Sequence, residues 1–272
     1  MHLFWQTASV PESGDGPAHQ LAEETRKKDD SRFDCPRDAA QQSLTIHLSH
    51  AILLFGFDLF DWGINGRNSM KHRVVYVHGK GGSASEAEHY RPLFDGCEVV
   101  GFDYRAQTPW EAREEFPRFF EPLHSNCDSI TLIANSIGAF FSMTSLSARH
   151  VDYALFISPV VDMEHLIADM MERANVTEDE LRARKEIPVG FGETLSWDWL
   201  SDVHSHPIQW TVPTRILYGD RDFLTSFETM SAFAARIGAQ LTVMPGGEHW
   251  FHTPEQMAFL DRWITESLSR LR

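Results

Sequence analysis

A serine between small residues, at the junction of an apolar strand and an apolar helix, constrains the fold of this chain more than any other feature. A strand pattern covers residues 129–135, Ser136 follows it, and an apolar helical pattern begins directly afterwards. Ala134 and Gly138 stand two positions before and after Ser136, where small side chains allow the strand and the helix to pack around a sharp turn. The spacing predicts that Ser136 lies at a helix N-terminus, where backbone N–H groups and the helix dipole stabilise negative charge.

Three further strand patterns end in turns that carry polar residues. They cover residues 73–77, 214–218 and 240–244. The turns after them carry Lys80, Asp222 and His249, respectively. A Walker phosphate-binding loop would need Ser or Thr after its Gly-Lys pair, and Gly81 follows Lys80, so the sequence excludes that alternative.

These four segments together resemble the alpha/beta-hydrolase superfamily, because the chain order Ser, Asp, His is the order of its catalytic groups. The resemblance implies an α/β fold, a mostly parallel sheet with helices on both faces. It implies Ser136 as nucleophile, His249 as base and Asp222 as acid. It also implies that the backbone N–H groups of Lys80 and Ile137 form an oxyanion hole. Ala134 departs from the usual glycine of the motif but has a similar volume.

Other polar residues near these motifs have simpler explanations. Asp162 follows the strand pattern that precedes Asp222 and is an alternative acid position. Asp220 would point away from Asp222 on an extended segment, so a turn-stabilising role is favoured. For His252 we favour a capping or packing role, and His78 resembles the hydrogen-bonded histidine of the oxyanion turn.

The resemblance leaves the substrate open, since one superfamily hosts esterases, thioesterases, lipases, peptidases and lyases. A serine at the turn argues against dehalogenases and epoxide hydrolases, which carry aspartate there. We favour hydrolysis of a small carboxylic ester, with a thioester or an amide as next choices, and no metal or organic cofactor. The alternative is a non-catalytic ligand-binding protein on the same scaffold, which would have no need to keep all three of Ser136, Asp222 and His249. The oligomeric state stays open.

Composition restricts the partners and the location. A formal net charge of −15 in 272 residues opposes nucleic acids and anionic membranes, because such binding depends on basic residues. Cys35, Cys97 and Cys127 are too widely spaced to suggest a zinc site or a disulfide framework. The chain opens without a secretory signal pattern, and Leu44 to Phe60 is too short and too polar for a confident membrane span. The expected location is the cytoplasm.

The chain divides into two parts of different character. Residues 1–69 contain a Pro- and Gly-rich stretch and a charged run, which favours a poorly ordered appendage. Met70 precedes the first strong strand and is an alternative start. The rival interpretation assigns residues 44–48 and 51–55 to an antiparallel strand pair that opens the sheet. Residues 70–272 form the predicted hydrolase domain.

Strands and helices alternate from Arg73 onward, which predicts a parallel sheet covered on both faces. The expected strands and helices after the first strand cover residues 98–104, 110–123, 129–135, a helix to 147, and 153–157. The alternation then lapses, and about residues 162–211 form an insert where the superfamily carries a cap over the active site. Within this insert the sequence predicts a helix over 163–174 and a second helix that begins near Thr177 with a capping box. Residues 195–200 form a further apolar stretch of the insert. A closing helix is expected from Thr253–Pro254, with Gln256 completing a second capping box.

Deleting residues 1–69 should leave the thermal unfolding temperature and the hydrolytic activity nearly unchanged, because that segment lacks the composition to pack as a core. Differential scanning calorimetry and an ester assay on the truncated and full chains test this. Loss of folding on truncation would instead assign residues 44–55 to the sheet.

Overall fold

A six-stranded parallel sheet forms the centre of the computed structural model, which describes residues 71–269. Its strands are β1 (His72–Val77), β2 (Glu98–Phe102), β3 (Ser129–Asn135), β4 (Tyr153–Ile157), β7 (Thr214–Gly219) and β8 (Gln240–Met244). Their order is β2-β1-β3-β4-β7-β8, and every neighbouring pair is parallel. The predicted fold class is therefore confirmed. The predictions for residues 1–69 and for Met70 lie outside the described residues.

Helices pack on both faces of this sheet and also form part of the segment between β4 and β7. They are α1 (Ala87–Tyr90), α2 (Pro109–Phe120), α3 (Ile137–Ser145), α4 (Met163–Ala174), α5 (Glu178–Arg184), α6 (Trp197–Ser205), α7 (Phe227–Ile237) and α8 (Pro254–Ser269). Short 3₁₀ turns lie at Ala84–Glu86, Arg91–Leu93 and Glu121–Ser125. Within the described residues, no helix has both the length and the apolar character needed to cross a membrane.

Alternate residues of the central strands supply two separate apolar cores. Val75 and Leu132 belong to the core that includes buried side chains of α2, α3 and α7. Val74 and Ile133 belong to the opposite core, which includes Trp263 of α8. Because a parallel sheet is covered on both faces, its strands are continuous apolar runs, which explains why they could be identified in the sequence.

Several predicted boundaries differ from those in the structure. β2 ends at Phe102, two residues before the predicted end, and the Glu115 carboxylate of α2 accepts hydrogen bonds from the backbone amides of Arg105 and Ala106 further along the chain. α2 ends at Phe120, and the chain continues as a 3₁₀ turn that contains Pro122, a residue without an amide donor for the α-helical ladder. α3 ends at Ser145, two residues before the predicted end. Helix α7 was not among the predicted elements.

The segment between β4 and β7 has its own secondary structure. It contains α4, α5, an antiparallel hairpin of β5 (Glu186–Pro188) and β6 (Thr194–Ser196), and α6. α4 has the predicted bounds. The Thr177 hydroxyl caps α5 by accepting from the Glu180 amide, and Ser196 caps α6 in the same way. The Trp199 ring stacks 6.2 Å from the ring of Phe140 in α3, so this insert packs on the helical layer beside Ser136.

Gly138 allows α3 to approach the end of β1. A Cβ added to Gly138 would overlap the carbonyl oxygen of His78 and stand 3.0 Å from that of Val77. Both obstacles are backbone atoms, which cannot move aside as a flexible side chain can. The close packing predicted from the small residue after Ser136 is therefore present at this helix.

We expect Gly138→Ala to lower the free energy of unfolding by about 1–3 kcal/mol, the usual cost of overpacking a filled core. Denaturant titration followed by circular dichroism measures the change. Gly190→Ala is the matched control, because a Cβ there meets nothing within 4 Å. Its effect should stay within about 0.5 kcal/mol. Equal effects of the two substitutions would contradict this account of Gly138.

Candidate active site

Ser136 lies in a strained turn between β3 and α3. Its φ is 52° and its ψ is −121°, a conformation that residues with a side chain rarely adopt. The surrounding backbone holds it there: the Ser136 amide donates to the Ile157 carbonyl at 3.0 Å, and the Val160 amide donates to the Ser136 carbonyl at 3.2 Å. Strain of this kind persists only where neighbouring structure fixes it, and it is concentrated at functional sites.

The structure brings Ser136, His249 and Asp222 into one hydrogen-bonded chain. Ser136 Oγ lies 2.8 Å from His249 Nε2, and His249 Nδ1 lies 2.8 Å from Asp222 Oδ2. The His249 side chain is 2% exposed and the Asp222 side chain is fully buried. The three residues meet because β3, β7 and β8 are parallel, so their carboxyl ends share one edge of the sheet.

Hydrogen bonds orient the Asp222 carboxylate toward His249. Asp222 Oδ1 accepts from the amides of Leu224 at 2.8 Å and Thr225 at 3.3 Å, while Oδ2 faces the imidazole. The turns after β7 and β8 also touch directly, because a Cβ on Gly219 would overlap the backbone of Gly247. This close approach fixes the distance between the turn that carries the acid and the turn that carries the histidine.

The glycine-rich turn after β1 lies beside Ser136. A Cβ added to Gly79 would stand 3.2 Å from the Ser136 Cβ. His78 Nδ1 is 2.8 Å from the Gly79 carbonyl, and its ring stacks on Tyr104 with centroids 4.3 Å apart. The Tyr104 hydroxyl donates to the His78 carbonyl at 2.9 Å. Burial raises the pKa of Tyr104, so this phenol keeps its proton and remains a donor.

The backbone N–H groups of Lys80 and Ile137 remain predicted oxyanion donors. Lys80 follows Gly79 in the turn beside Ser136, and Ile137 is the first residue of α3. The first amides of a helix have no partner within the helix and are available to bind an anion. The positions of both residues fit the predicted role.

An ion pair joins this turn to the insert. Lys80 Nζ lies 2.7 Å from Glu193 Oε1, and the two side chains are 20% and 5% exposed. Burial lowers the pKa of the Lys80 ammonium, and the hydrogen bond and charge of Glu193 oppose that shift. Glu193 was not among the sequence-predicted site residues, and its position in a short glycine-rich stretch gave no signal for its partner.

A cavity of about 70 Å³ lies between the turn after β1 and the insert. Lys80 and Ile137 line one side of it, and the insert supplies mostly apolar side chains, which include Leu166, Met170 and Trp199. A larger cavity of about 550 Å³ lies between α4, α6 and α7, and the lining of neither cavity includes Ser136 or His249. The smaller cavity borders Lys80 and Ile137, the two residues whose backbone N–H groups are the predicted oxyanion donors.

An exposed aromatic ring, that of Phe223, lies near the histidine and near the half-buried ring of Trp250. Phe223 is exposed, and its ring centroid lies 6.1 Å from that of His249 and 6.3 Å from that of Trp250. Phe223 directly follows Asp222 in the chain, which could have identified it as a candidate from the sequence.

The alternative residues have other partners in the structure. Asp162 is exposed and caps α4 by accepting from the His165 amide at 2.9 Å. Asp220 accepts from the Gly246 amide at 2.6 Å, which ties the turn after β7 to the turn after β8. His252 is exposed, and its amide donates to the Gln256 side chain at the start of α8. Across residues 71–269, no group of three or more His, Cys, Asp and Glu side chains could hold a metal ion.

Solved structures with the same architecture are numerous. Est1E from Butyrivibrio proteoclasticus is 16% identical with a TM-score of 0.58, and the match covers 76% of this chain and 90% of that chain. Mouse alpha/beta hydrolase domain-containing protein 10 is 17% identical with a TM-score of 0.57, over 74% and 90% of the two chains. These structures share the alpha/beta-hydrolase fold with this chain, in agreement with the resemblance predicted from the sequence motifs.

Residues 131–256 match the family model described as serine aminopeptidase, S33. A curated Mycoplasma genitalium protein, whose name proposes an esterase or lipase, is 27% identical over 107 residues. That match covers 35% of this chain and only 38% of the relative. The predicted resemblance is confirmed, and the chain is similar to hydrolases of the esterase and lipase type.

Proposed function

We propose that this protein is a serine hydrolase that cleaves a small carboxylic ester through an acyl-enzyme on Ser136. The observation that carries the proposal is the chain of two 2.8 Å contacts from Ser136 Oγ through His249 to Asp222. A nucleophile, a base within hydrogen-bond reach and a third group that orients the base are the parts that nucleophilic catalysis requires. The similarity to a relative named as an esterase or lipase supports an ester substrate.

In the acylation step, Ser136 Oγ attacks the ester carbonyl carbon while its proton passes to His249 Nε2. The carbonyl π electrons move to the oxygen, and the backbone N–H groups of Lys80 and Ile137 hold that oxyanion. His249 then gives the proton to the alkoxy oxygen as the carbon–oxygen bond breaks. The alcohol leaves, and the acyl group stays on Ser136.

In the deacylation step, His249 takes a proton from water as the water oxygen attacks the acyl carbon. Collapse of the second tetrahedral intermediate returns the proton to Ser136 Oγ and releases the carboxylic acid. Asp222 holds the imidazole in the tautomer that leaves Nε2 able to accept a proton, and it stabilises the imidazolium formed in each step. These steps need no metal or organic cofactor.

The surroundings of the triad favour a small substrate with an apolar acyl group. The cavity beside Lys80 and Ile137 has mostly apolar walls on the insert side. Phe223 offers an exposed aromatic face to the leaving group. Ferulic acid, an aromatic acid, is bound in one structure of Est1E, which has the same fold and 16% identity to this chain. Since ferulic acid carries its ring on the acyl side, we place esters of aromatic acids together with short-chain aryl esters first among the substrates to assay.

Fluorophosphonate probes should label the full chain at Ser136, because they phosphonylate an activated serine. The Ser136→Ala variant should show no labelling, and its rate of hydrolysis of a short-chain aryl ester should fall by at least about 10³-fold. Intact-mass spectrometry and a parallel assay on thioester and aminoacyl anilide substrates measure both effects. Absence of labelling in the unmodified chain would favour a non-catalytic ligand-binding protein.

Asp222→Asn should reduce kcat by about 10⁴-fold, because an amide favours the wrong imidazole tautomer and leaves the fold intact. Asp162→Asn is the matched control at the alternative acid position, and it should change kcat by less than about threefold. Stopped assays on an aryl ester, with circular dichroism to check folding, compare the two. A large loss for Asp162→Asn beside a mild loss for Asp222→Asn would move the acid to the earlier strand.

A further inference from the structure

The Lys80–Glu193 ion pair connects the insert to the proposed oxyanion hole. Lys80 belongs to the turn after β1, and Glu193 lies in the loop of the β5–β6 hairpin, 113 residues later. The hairpin backbone fixes the position of Glu193, since its carbonyl accepts from the Val189 amide at 2.8 Å. The carboxylate is therefore held by a closed hairpin loop.

The residues on either side of Lys80 place little restriction on its backbone conformation. Gly79 precedes it, and Gly81 follows it with a φ of 77°. Glycine populates more of conformational space than any other residue, so local propensity cannot fix the direction of the Lys80 peptide N–H. The Gly82 amide donates to the Gly79 carbonyl at 3.2 Å and closes the turn, and the ion pair of the Lys80 side chain adds a contact from outside it.

Stability alone is a weak reason for this pair. Removing two charges from water costs several kcal/mol per ion, and replacing a buried ion pair by apolar residues is often neutral or stabilising. Glu193 is nearly inaccessible, and Lys80 is mostly covered. Two apolar side chains of the same size would lack the directional contact that the Lys80 side chain makes with a fixed carboxylate.

We infer that Glu193 is a positioning residue, which holds the Lys80 side chain and thereby orients the Lys80 backbone N–H toward the oxyanion. The inference rests on the proposed function, because it assigns Glu193 a role in that same reaction. Under this inference the insert contributes to stabilisation of the transition state through Lys80, although no group of Glu193 touches the reacting atoms.

A second ion pair provides a matched control. Arg113 of α2 and Asp202 of α6 also join the hydrolase core to the insert, with Arg113 Nη1 3.0 Å from Asp202 Oδ2. Their side chains are 26% and 11% exposed, similar to the Lys80–Glu193 pair. Neither residue belongs to the turn after β1. Loss of this pair removes a comparable contact without touching the oxyanion hole.

The test compares Glu193→Ala with Asp202→Ala in the full chain on a short-chain aryl ester. Glu193→Ala should lower kcat by about 10–100-fold, the range between a displaced and a deleted oxyanion donor, while KM changes less than about threefold. Asp202→Ala should leave kcat within about threefold, whatever it does to the unfolding temperature. Glu193→Gln keeps a hydrogen-bond acceptor of the same shape, and its kcat should lie between those of the Glu193→Ala variant and the unmodified chain.

Inhibition by an alkyl trifluoromethyl ketone adds a readout that a purely structural role would not move. This ketone adds to an active-site serine and forms an anionic hemiketal, so its affinity reports on the oxyanion hole. Its inhibition constant should rise in Glu193→Ala by the same factor by which kcat/KM falls. It should be unchanged in Asp202→Ala.

The outcomes separate this inference from the proposed function. A full chain that neither reacts with fluorophosphonate nor hydrolyses any of the assayed substrates overturns both. An active full chain in which Glu193→Ala and Glu193→Gln keep kcat overturns only the positioning role. Equal losses of kcat in Glu193→Ala and Asp202→Ala would also overturn it, since they would show a general effect of insert docking. If Glu193→Ala fails to fold, the Glu193→Gln result decides.

Discussion

The close approach of α3 to the carboxyl end of β1 is the constraint on which the rest of the site depends. Only a residue without a Cβ at position 138 lets the first turn of α3 rest against the carbonyl oxygens of Val77 and His78. That contact brings Ser136 next to Gly79, so a serine hydroxyl and a glycine-rich turn from separate strands share one small volume. The positive φ of Ser136 is the local distortion that accompanies this packing.

The proposed triad combines a buried carboxylate with a buried histidine that contacts both Ser136 and Asp222. Asp222 uses one carboxylate oxygen for two backbone amides and the other for His249, so its orientation does not depend on substrate. The buried position of this carboxylate is tolerable because hydrogen bonds replace its hydration. Geometry that is set before substrate arrives lowers the reorganisation needed in the reaction, which is the physical basis of catalysis by preorganised sites.

The central fold could be predicted because the strands of a parallel sheet covered on both faces are continuous apolar runs that end in turns. β3, β4 and α4 have the predicted bounds for that reason. β2 was predicted two residues too long, and the chain beyond it is held by the Glu115 side chain of α2, which accepts from the amides of Arg105 and Ala106. No sequence pattern identifies such a long-range contact.

The residues of the candidate site likewise divide into those that the sequence predicts and those that it does not. Ser136, Asp222 and His249 each follow a strand, so chain order and the parallel sheet were enough to predict that they meet. Glu193 follows no such rule. Its contact with Lys80 depends on how the insert folds back over the sheet, which is set by packing such as that of Trp199 on Phe140.

The hairpin that carries Glu193 also bears on how this protein could be recombined with its relatives. Inserts between the same two strands are natural units to exchange when a new substrate range is wanted, since the sheet beneath them is complete on its own. Here the exchanged piece would take away the counter-ion of a lysine that stays behind. A chimera would leave the Lys80 ammonium without its buried carboxylate unless the incoming segment supplied an acidic side chain at the same place. Compatibility between an insert and the sheet beneath it thus depends on this one charge as well as on the shape of the apolar surface.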